Sequence, residues 1–225
     1  MSRIEQIRQN VLKKNDLLAA ELRNRFSVAG VSVINLVSSP GAGKTSLLEY
    51  TLRKLQPRFS VAALVGDLAT DRDAQRLSRA ATKVQQITTG TVCHLDAEMV
   101  GTALADWQLE TLDFLFIENV GNLVCPASYD VGEMMRAVLL SVTEGEDKPL
   151  KYPTIFNSAD FAVITKIDLA EAVGFNRDEA RKNIHEVSPD LPIVETSVRT
   201  GIGMDLWMER LERLSHTRGD LARLV

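Results

Sequence analysis

An α/β fold is predicted for this chain: a mostly parallel sheet of about seven strands with helices on both faces. Three features predict it. From Val31 onward, short β-branched runs alternate with helical stretches, the rhythm of parallel strands joined by helical crossovers. The runs are near-continuously apolar, as strands covered on both faces are. The first run leads straight into a glycine-rich turn and then an apolar helix.

The elements follow in order. Residues 3–26 read as a helix, because Ile4, Ile7, Val11, Leu18, Leu22 and Phe26 recur at three- and four-residue steps between charges. This amphipathic helix, residues 1–28, is expected to pack on a single domain spanning 29–225. Strands are expected at Val31–Val37, Val61–Val65, Val84–Thr88, Phe114–Glu118, Val138–Thr143, Phe161–Thr165 and Ile193–Thr196. Helices are expected at Thr45–Leu55, Asp71–Ala80, Glu98–Leu109, Arg177–Val187 and Met204–Leu214. Gly121–Gly132 and Glu144–Asn157, rich in glycine, proline and charge, read as loops near a functional edge.

Composition narrows the function. The chain has 225 residues, 45% apolar, with a net charge of −4. That is one domain with a sizeable core, without the basic balance of a nucleic-acid or anionic-membrane binder. No apolar run reaches the roughly 18–20 residues of a membrane span, and the N-terminus lacks an apolar signal core. A cytoplasmic protein is expected. Cys93 and Cys125 can form one disulfide at most; in a reducing cytosol they read as buried thiols, redox thiols or metal ligands.

Ser38-Ser-Pro-Gly-Ala-Gly-Lys-Thr45 matches the phosphate-loop pattern G-x-x-x-x-G-K-[ST], with Ser38 in the first glycine's place. Across Pro40–Ser46, the successive backbone N–H groups that follow Pro40 form a concave nest at a helix N-terminus, with Gly41 and Gly43, on either side of Ala42, allowing close approach. Lys44 is expected to reach the β- and γ-phosphates and the Thr45 hydroxyl to bind Mg²⁺. Two acids close strands on the same edge: Asp67, expected to hold Mg²⁺ and position water, and Glu118, expected as the second magnesium acid. Asp71 and Asp73 read equally well as caps of the following helix. Gly121 is placed to move with the γ-phosphate.

Thr165-Lys-Ile-Asp168 resembles the N-K-x-D element that selects guanine, with Thr165 replacing asparagine. The Asp168 carboxylate can accept two N–H bonds from the guanine edge, and adenine offers no matching pair. Lys166 can lay its stem on the base plane. Ser197 falls where a backbone contact to the guanine oxygen is expected. GTP and GDP are therefore the expected ligands.

Several segments together resemble one family. They are the phosphate loop, Gly66-Asp-Leu-Ala-Thr-Asp-Arg-Asp-Ala, Thr89-Gly-Thr-Val-Cys-His-Leu-Asp-Ala, Glu118-Asn-Val-Gly-Asn-Leu-Val-Cys-Pro, Val142-Thr-Glu-Gly-Glu-Asp-Lys-Pro-Leu-Lys-Tyr-Pro and the Lys-Ile-Asp-Leu element. They are similar to the HypB hydrogenase-maturation GTPases, and the resemblance implies a SIMIBI-type G domain. It implies GTP-dependent delivery of nickel to the large-subunit precursor of nickel-iron hydrogenase. It further implies a nucleotide-promoted homodimer, a HypA-type partner chaperone, and Cys93, His94 and Cys125 as metal ligands. Thiolate and imidazole suit Ni²⁺ or Zn²⁺ and not Mg²⁺. Three ligands under-fill a structural zinc site, which sharing across a two-fold axis repairs. The bland alternative is two buried thiols and a polar histidine leading a helix. His185 and His216 read as solvated. Lys148 reads either as a residue reaching the neighbouring protomer's nucleotide or as a surface lysine. A chaperone for another metalloenzyme and a nucleotide-gated assembly protein without metal transfer remain the alternatives.

Overall fold

The computed structural model describes residues 3–221, apart from the side chains at 4, 8 and 216–221; those of Ile4 and His216, named above, lie outside the described residues. Seven strands form one sheet: β1 (Ser32–Ser38), β2 (Val61–Asp67), β3 (Lys83–Thr88), β4 (Phe114–Glu118), β5 (Met135–Ser141), β6 (Phe161–Thr165) and β7 (Ile193–Glu195). Their order is β3-β2-β4-β1-β5-β6-β7, and every pairing is parallel. All the strand C-termini therefore share one edge. β1 sits between β4 and β5, where the strand order reverses, so a crevice opens at the end of β1.

The helices are α1 (Arg3–Ala29), α2 (Lys44–Leu55), α3 (Arg72–Leu77), α4 (Ala97–Ala103), α5 (Lys148–Lys151), α6 (Pro153–Asn157), α7 (Arg177–Val187) and α8 (Met204–Leu221). Period-two side-chain alternation divides them between the faces. Phe114 and Phe116 of β4 join Leu47, Leu48 and Leu52 of α2 and the fully buried Trp207 of α8 in one core. Leu115 and Ile117, one residue out of phase, join Leu22 and Phe26 of α1, Val100 of α4 and Leu104 just after it on the opposite face. A third cluster packs Val138 and Leu140 of β5 against Phe156 of α6 and Ile184 of α7.

Four expectations shift. The fifth strand begins at Met135, ahead of the expected Val138, and takes in Arg136, whose guanidinium is buried against Glu133 at 2.7 Å. It stops at Ser141, where a capping box between Ser141 and Glu144 turns the chain into a 3₁₀ turn. The expected loop Glu144–Asn157 instead folds as α5 and α6, each with proline in its first turn. α4 ends at Ala103, not Leu109. In α1 the buried stripe covers Ala19, Leu22 and Phe26, while Ile7 and Val11 stay exposed. Among the described residues, no helix is long and apolar enough to cross a membrane.

Candidate nucleotide and metal site

β1 delivers the chain into the Ser38–Thr45 loop, and Gly43 (φ 102°) opens α2 from the left-handed region. Lys44 is buried, and its ammonium donates to the Ser38 hydroxyl at 2.9 Å. The serine that replaces the pattern's first glycine thus holds the lysine in place. Burial pulls the Lys44 pKa down, against the attraction of Glu118. Thr45 donates from its hydroxyl to Glu118 Oε1 at 2.7 Å, joining the helix start to the end of β4.

Glu118 is buried. Its second oxygen, Oε2, has no hydrogen-bond partner among the described residues, and burial pushes its carboxyl up to about 7. An orphaned buried carboxylate oxygen beside a threonine hydroxyl is a donor set that fits a hard, oxygen-seeking cation. Asp67 lines the same cleft, but its Oδ1 accepts from the amides of Ala69 and Thr70 at 2.8 and 2.7 Å. One oxygen is thereby committed to the turn after β2. Neither aspartate of the next helix caps it: Asp71, at the N-cap position, makes no side-chain cap bond and instead accepts from Gln75, while Asp73 lines the cleft. Arg76 also lines it, held by Glu49 and the Ser46 hydroxyl. Arg76 is not legible in the sequence, since one arginine on a charged helix carries no spacing signal.

Two adjoining cavities of about 520 and 330 Å³ run along this edge and share Gly43, Ser46, Arg76 and Lys166. Their size and polar lining suit a small ligand of two parts. The second is lined by Thr165, Asp168, Ser197 and Val198. Thr165, standing where asparagine was expected, donates to the Ala42 carbonyl at 2.6 Å. Lys166 sits at φ 58° and reaches the Gly41 carbonyl at 2.8 Å. One expectation needs correction: the Ser197 amide is already donated to Ile202 O at 2.9 Å. Val198, the next residue, makes no such bond among the described residues and offers the amide instead.

Cys93 and His94 lie in the loop after β3, and Cys125 opens a 3₁₀ turn beyond β4. One ligand atom from each lies within 4.8 Å of the others, and both cysteines are free thiols. Ligands arranged tetrahedrally around a zinc-sized ion stand roughly 3.3–3.8 Å apart, a spacing that falls within that limit. His94 Nδ1 is buried without a partner among the described residues, and burial lowers the imidazole pKa, favouring the neutral form that binds metals. The Cys125 thiol is pushed up, first by its hydrogen bond with Cys93 and then by burial. His94 stacks on Tyr129 at 3.8 Å. Asn122, three residues before Cys125, accepts from the Val124 and Cys125 amides. Neither Tyr129 nor Asn122 was singled out from sequence. Lys148 pairs with its own Glu144 at 3.8 Å.

Residues 32–195 match the CobW/HypB/UreG nucleotide-binding domain. The chain is 48% identical over 219 residues to a hydrogenase maturation factor HypB from Azotobacter vinelandii, covering 96% of this chain and 72% of that one. A hydrogenase/urease maturation factor HypB from Helicobacter pylori is 46% identical over 82% of this chain and 77% of its own. The crystal structure of HypB from Helicobacter pylori in complex with nickel superposes with a TM-score of 0.85 at 42% identity, over 91% of this chain and 96% of that one. This chain belongs to the HypB family of hydrogenase maturation factors, within the CobW/HypB/UreG nucleotide-binding class.

Proposed function

We propose that this protein hydrolyses GTP and uses the nucleotide cycle to carry nickel to a nickel-iron hydrogenase. One observation carries the reading. The Cys93–His94–Cys125 cluster, with its ligand atoms inside 4.8 Å, flanks the end of the strand whose last residue, Glu118, is bonded to the phosphate-loop Thr45. A site for a soft or borderline metal and a site for a triphosphate therefore share one strand end.

In this reading the backbone N–H groups of Gly41–Ser46, following Pro40, and the Lys44 ammonium grip the phosphates, while Thr45, Glu118 and the free oxygen of Asp67 hold Mg²⁺, which neutralises developing charge. Asp168 accepts from the guanine edge, Lys166 lies along the base, and the Val198 amide takes the contact first assigned to Ser197. Nickel is cargo, held by two thiolates and one imidazole; Zn²⁺ competes for the same donors. Three ligands leave the site open, which suits transfer better than a closed cage. A nucleotide-promoted homodimer bringing two such sites together would raise the ligand count. The expected partners are a HypA-type chaperone and the hydrogenase large-subunit precursor, in the cytoplasm. Because relatives include factors named for both hydrogenase and urease, urease is the second client that this reading admits.

The test crosses two variants with two measurements, GTP turnover and nickel binding by equilibrium dialysis. Lys44→Ala is expected to lower turnover by about 100- to 1,000-fold and still bind nickel. Cys93→Ala is expected to lose nickel and still turn over GTP. Stoichiometric nickel on Cys93→Ala would overturn the metal assignment, and undiminished turnover in Lys44→Ala would overturn the nucleotide assignment. Molecular mass measured with GDP and with a non-hydrolysable GTP analogue tests the dimer.

A further inference from the structure

We propose that Asn119 is a positioning residue that transmits the state of the nucleotide cleft to the His94 loop. The proposal rests on the reading of the two sites given above and names the connection between them.

Asn119 follows Glu118 directly. It is buried, and its amide anchors to the Leu36 carbonyl of β1 at 3.0 Å, so its backbone cannot drift from the strand end. Its side chain is bonded at both ends. Oδ1 accepts from the Leu95 amide at 3.0 Å and from the Val120 amide at 2.9 Å. Leu95 is the residue after His94, and its side chain packs over Gly66, immediately before Asp67. One carboxamide thus ties the His94 loop to the strand end that bears a magnesium acid.

A second route starts from the same side chain. Asn119 Nδ2 donates to Asn35 Oδ1 at 3.4 Å, and Asn35 Nδ2 donates to Glu133 Oε1 at 3.1 Å. Arg136 donates from Nε to the same Glu133 oxygen at 2.7 Å and from a terminal nitrogen to the Tyr129 carbonyl at 3.0 Å. Tyr129 is the ring stacked on His94. Asn35, Glu133 and Arg136 are all buried. Hydrogen bonds in such surroundings are strong and costly to leave unmade, so a shift of Asn119 is passed on and not absorbed by solvent.

Asn15 of α1 supplies a contrast inside the same structure. It donates to the Asp130 carbonyl and accepts from the Ala97 amide, both at 2.9 Å. It therefore joins the segments that follow His94 and Cys125, with no bond among the described residues to the nucleotide cleft. Asn15 should set how well the metal is held, and Asn119 how much that depends on nucleotide.

The experiment measures nickel affinity by chelator competition, with thiolate-to-nickel absorption as the site marker, in GDP and in a non-hydrolysable GTP analogue with Mg²⁺. In the unaltered protein the two affinities are expected to differ by about fivefold or more, the usual lower range of such coupling. Asn119→Ser, too short to reach Leu95, is expected to bring the ratio to within about twofold of one. Asn15→Ala should weaken both affinities and leave the ratio intact. A preserved ratio in Asn119→Ser overturns the proposal alone. A ratio of one in the unaltered protein overturns the coupling of the two sites together with it. Hydrogen exchange over residues 92–97 of the unaltered protein gives a reading independent of variant folding: Leu95 protection must differ between the two nucleotide states, and identical exchange refutes the assignment.

Discussion

The nucleotide cleft and the metal cluster sit on the same sheet edge, yet they are built in opposite ways. The phosphate-loop part of the cleft is backbone: a consecutive run of amides at the start of α2, pinned from outside by Thr165 to the Ala42 carbonyl and by Lys166 to the Gly41 carbonyl. The cluster is side chain only, its three candidate ligands drawn from two loops, one of which is held just beyond His94 by amide side chains from elsewhere. A backbone cradle tolerates substitution around it and is complete before its ligand arrives. A side-chain cluster is as good as its supports, and its geometry is free to change with them. The first suits steady binding; the second suits release.

If the cleft is modular in this sense, changing one of its contacts should exchange one ligand for another without dismantling it. Asp168 is the sharpest case. Asp168→Asn replaces an acceptor for two guanine N–H groups with a side chain that also donates. Loss of a charged hydrogen-bond pair is expected to weaken GTP on the order of a hundredfold. Xanthosine triphosphate, whose carbonyl can accept from the new amide, should gain correspondingly. Binding of both nucleotides by calorimetry checks it. Equal weakening of both would mean that the base lies elsewhere and that the second cavity is not its pocket.

The two regions touch at Gly121, where a next change should damage both at once. A Cβ there would stand 2.9 Å from the Pro40 Cα and 3.0 Å from its nitrogen, and backbone cannot step aside as a flexible side chain can. Gly121→Ala must push the loop leading to Cys125 away from the phosphate loop, with an overpacking cost of about 1–3 kcal/mol. The expected outcome is lower thermal stability, with nucleotide and nickel affinities falling together. An effect confined to one ligand would show the regions to be more independent than this contact implies.

The same contrast explains what the sequence discloses. The phosphate loop is legible because its working atoms are consecutive, so a short pattern with a strand before it and a helix after it specifies the geometry. Cys93, His94 and Cys125 are legible as chemistry, because few residue types hold soft metals, but their approach to one another depends on two loops folding together. Asn15, Asn119 and Asn35 are not legible at all. An asparagine in a sequence is ordinary surface polarity; only burial, visible after folding, turns it into a fixed strut. Arg136 misled for the related reason that a charge argues against a central strand until its buried partner, Glu133, is known. The α5–α6 segment hid its helices behind Pro149 and Pro153, which break helices internally but open them at the first turn.

Thr165 gives the smallest expected effect and probes the cleft's own bracing. The asparagine expected here would brace the loop through a carboxamide; in this chain a hydroxyl does so, at 2.6 Å from the Ala42 carbonyl. Thr165→Val keeps the shape and removes only the donor, leaving a carbonyl of the phosphate loop without that partner. The cost of one such bond is about 1 kcal/mol, which should appear as a several-fold weaker nucleotide affinity with nickel binding in the nucleotide-free protein unchanged. Thr165→Ser retains the hydroxyl and should recover most of the loss. If valine were neutral and serine harmful, the methyl group's packing would be the brace, and the cleft would depend on side-chain fit in the way the metal cluster does.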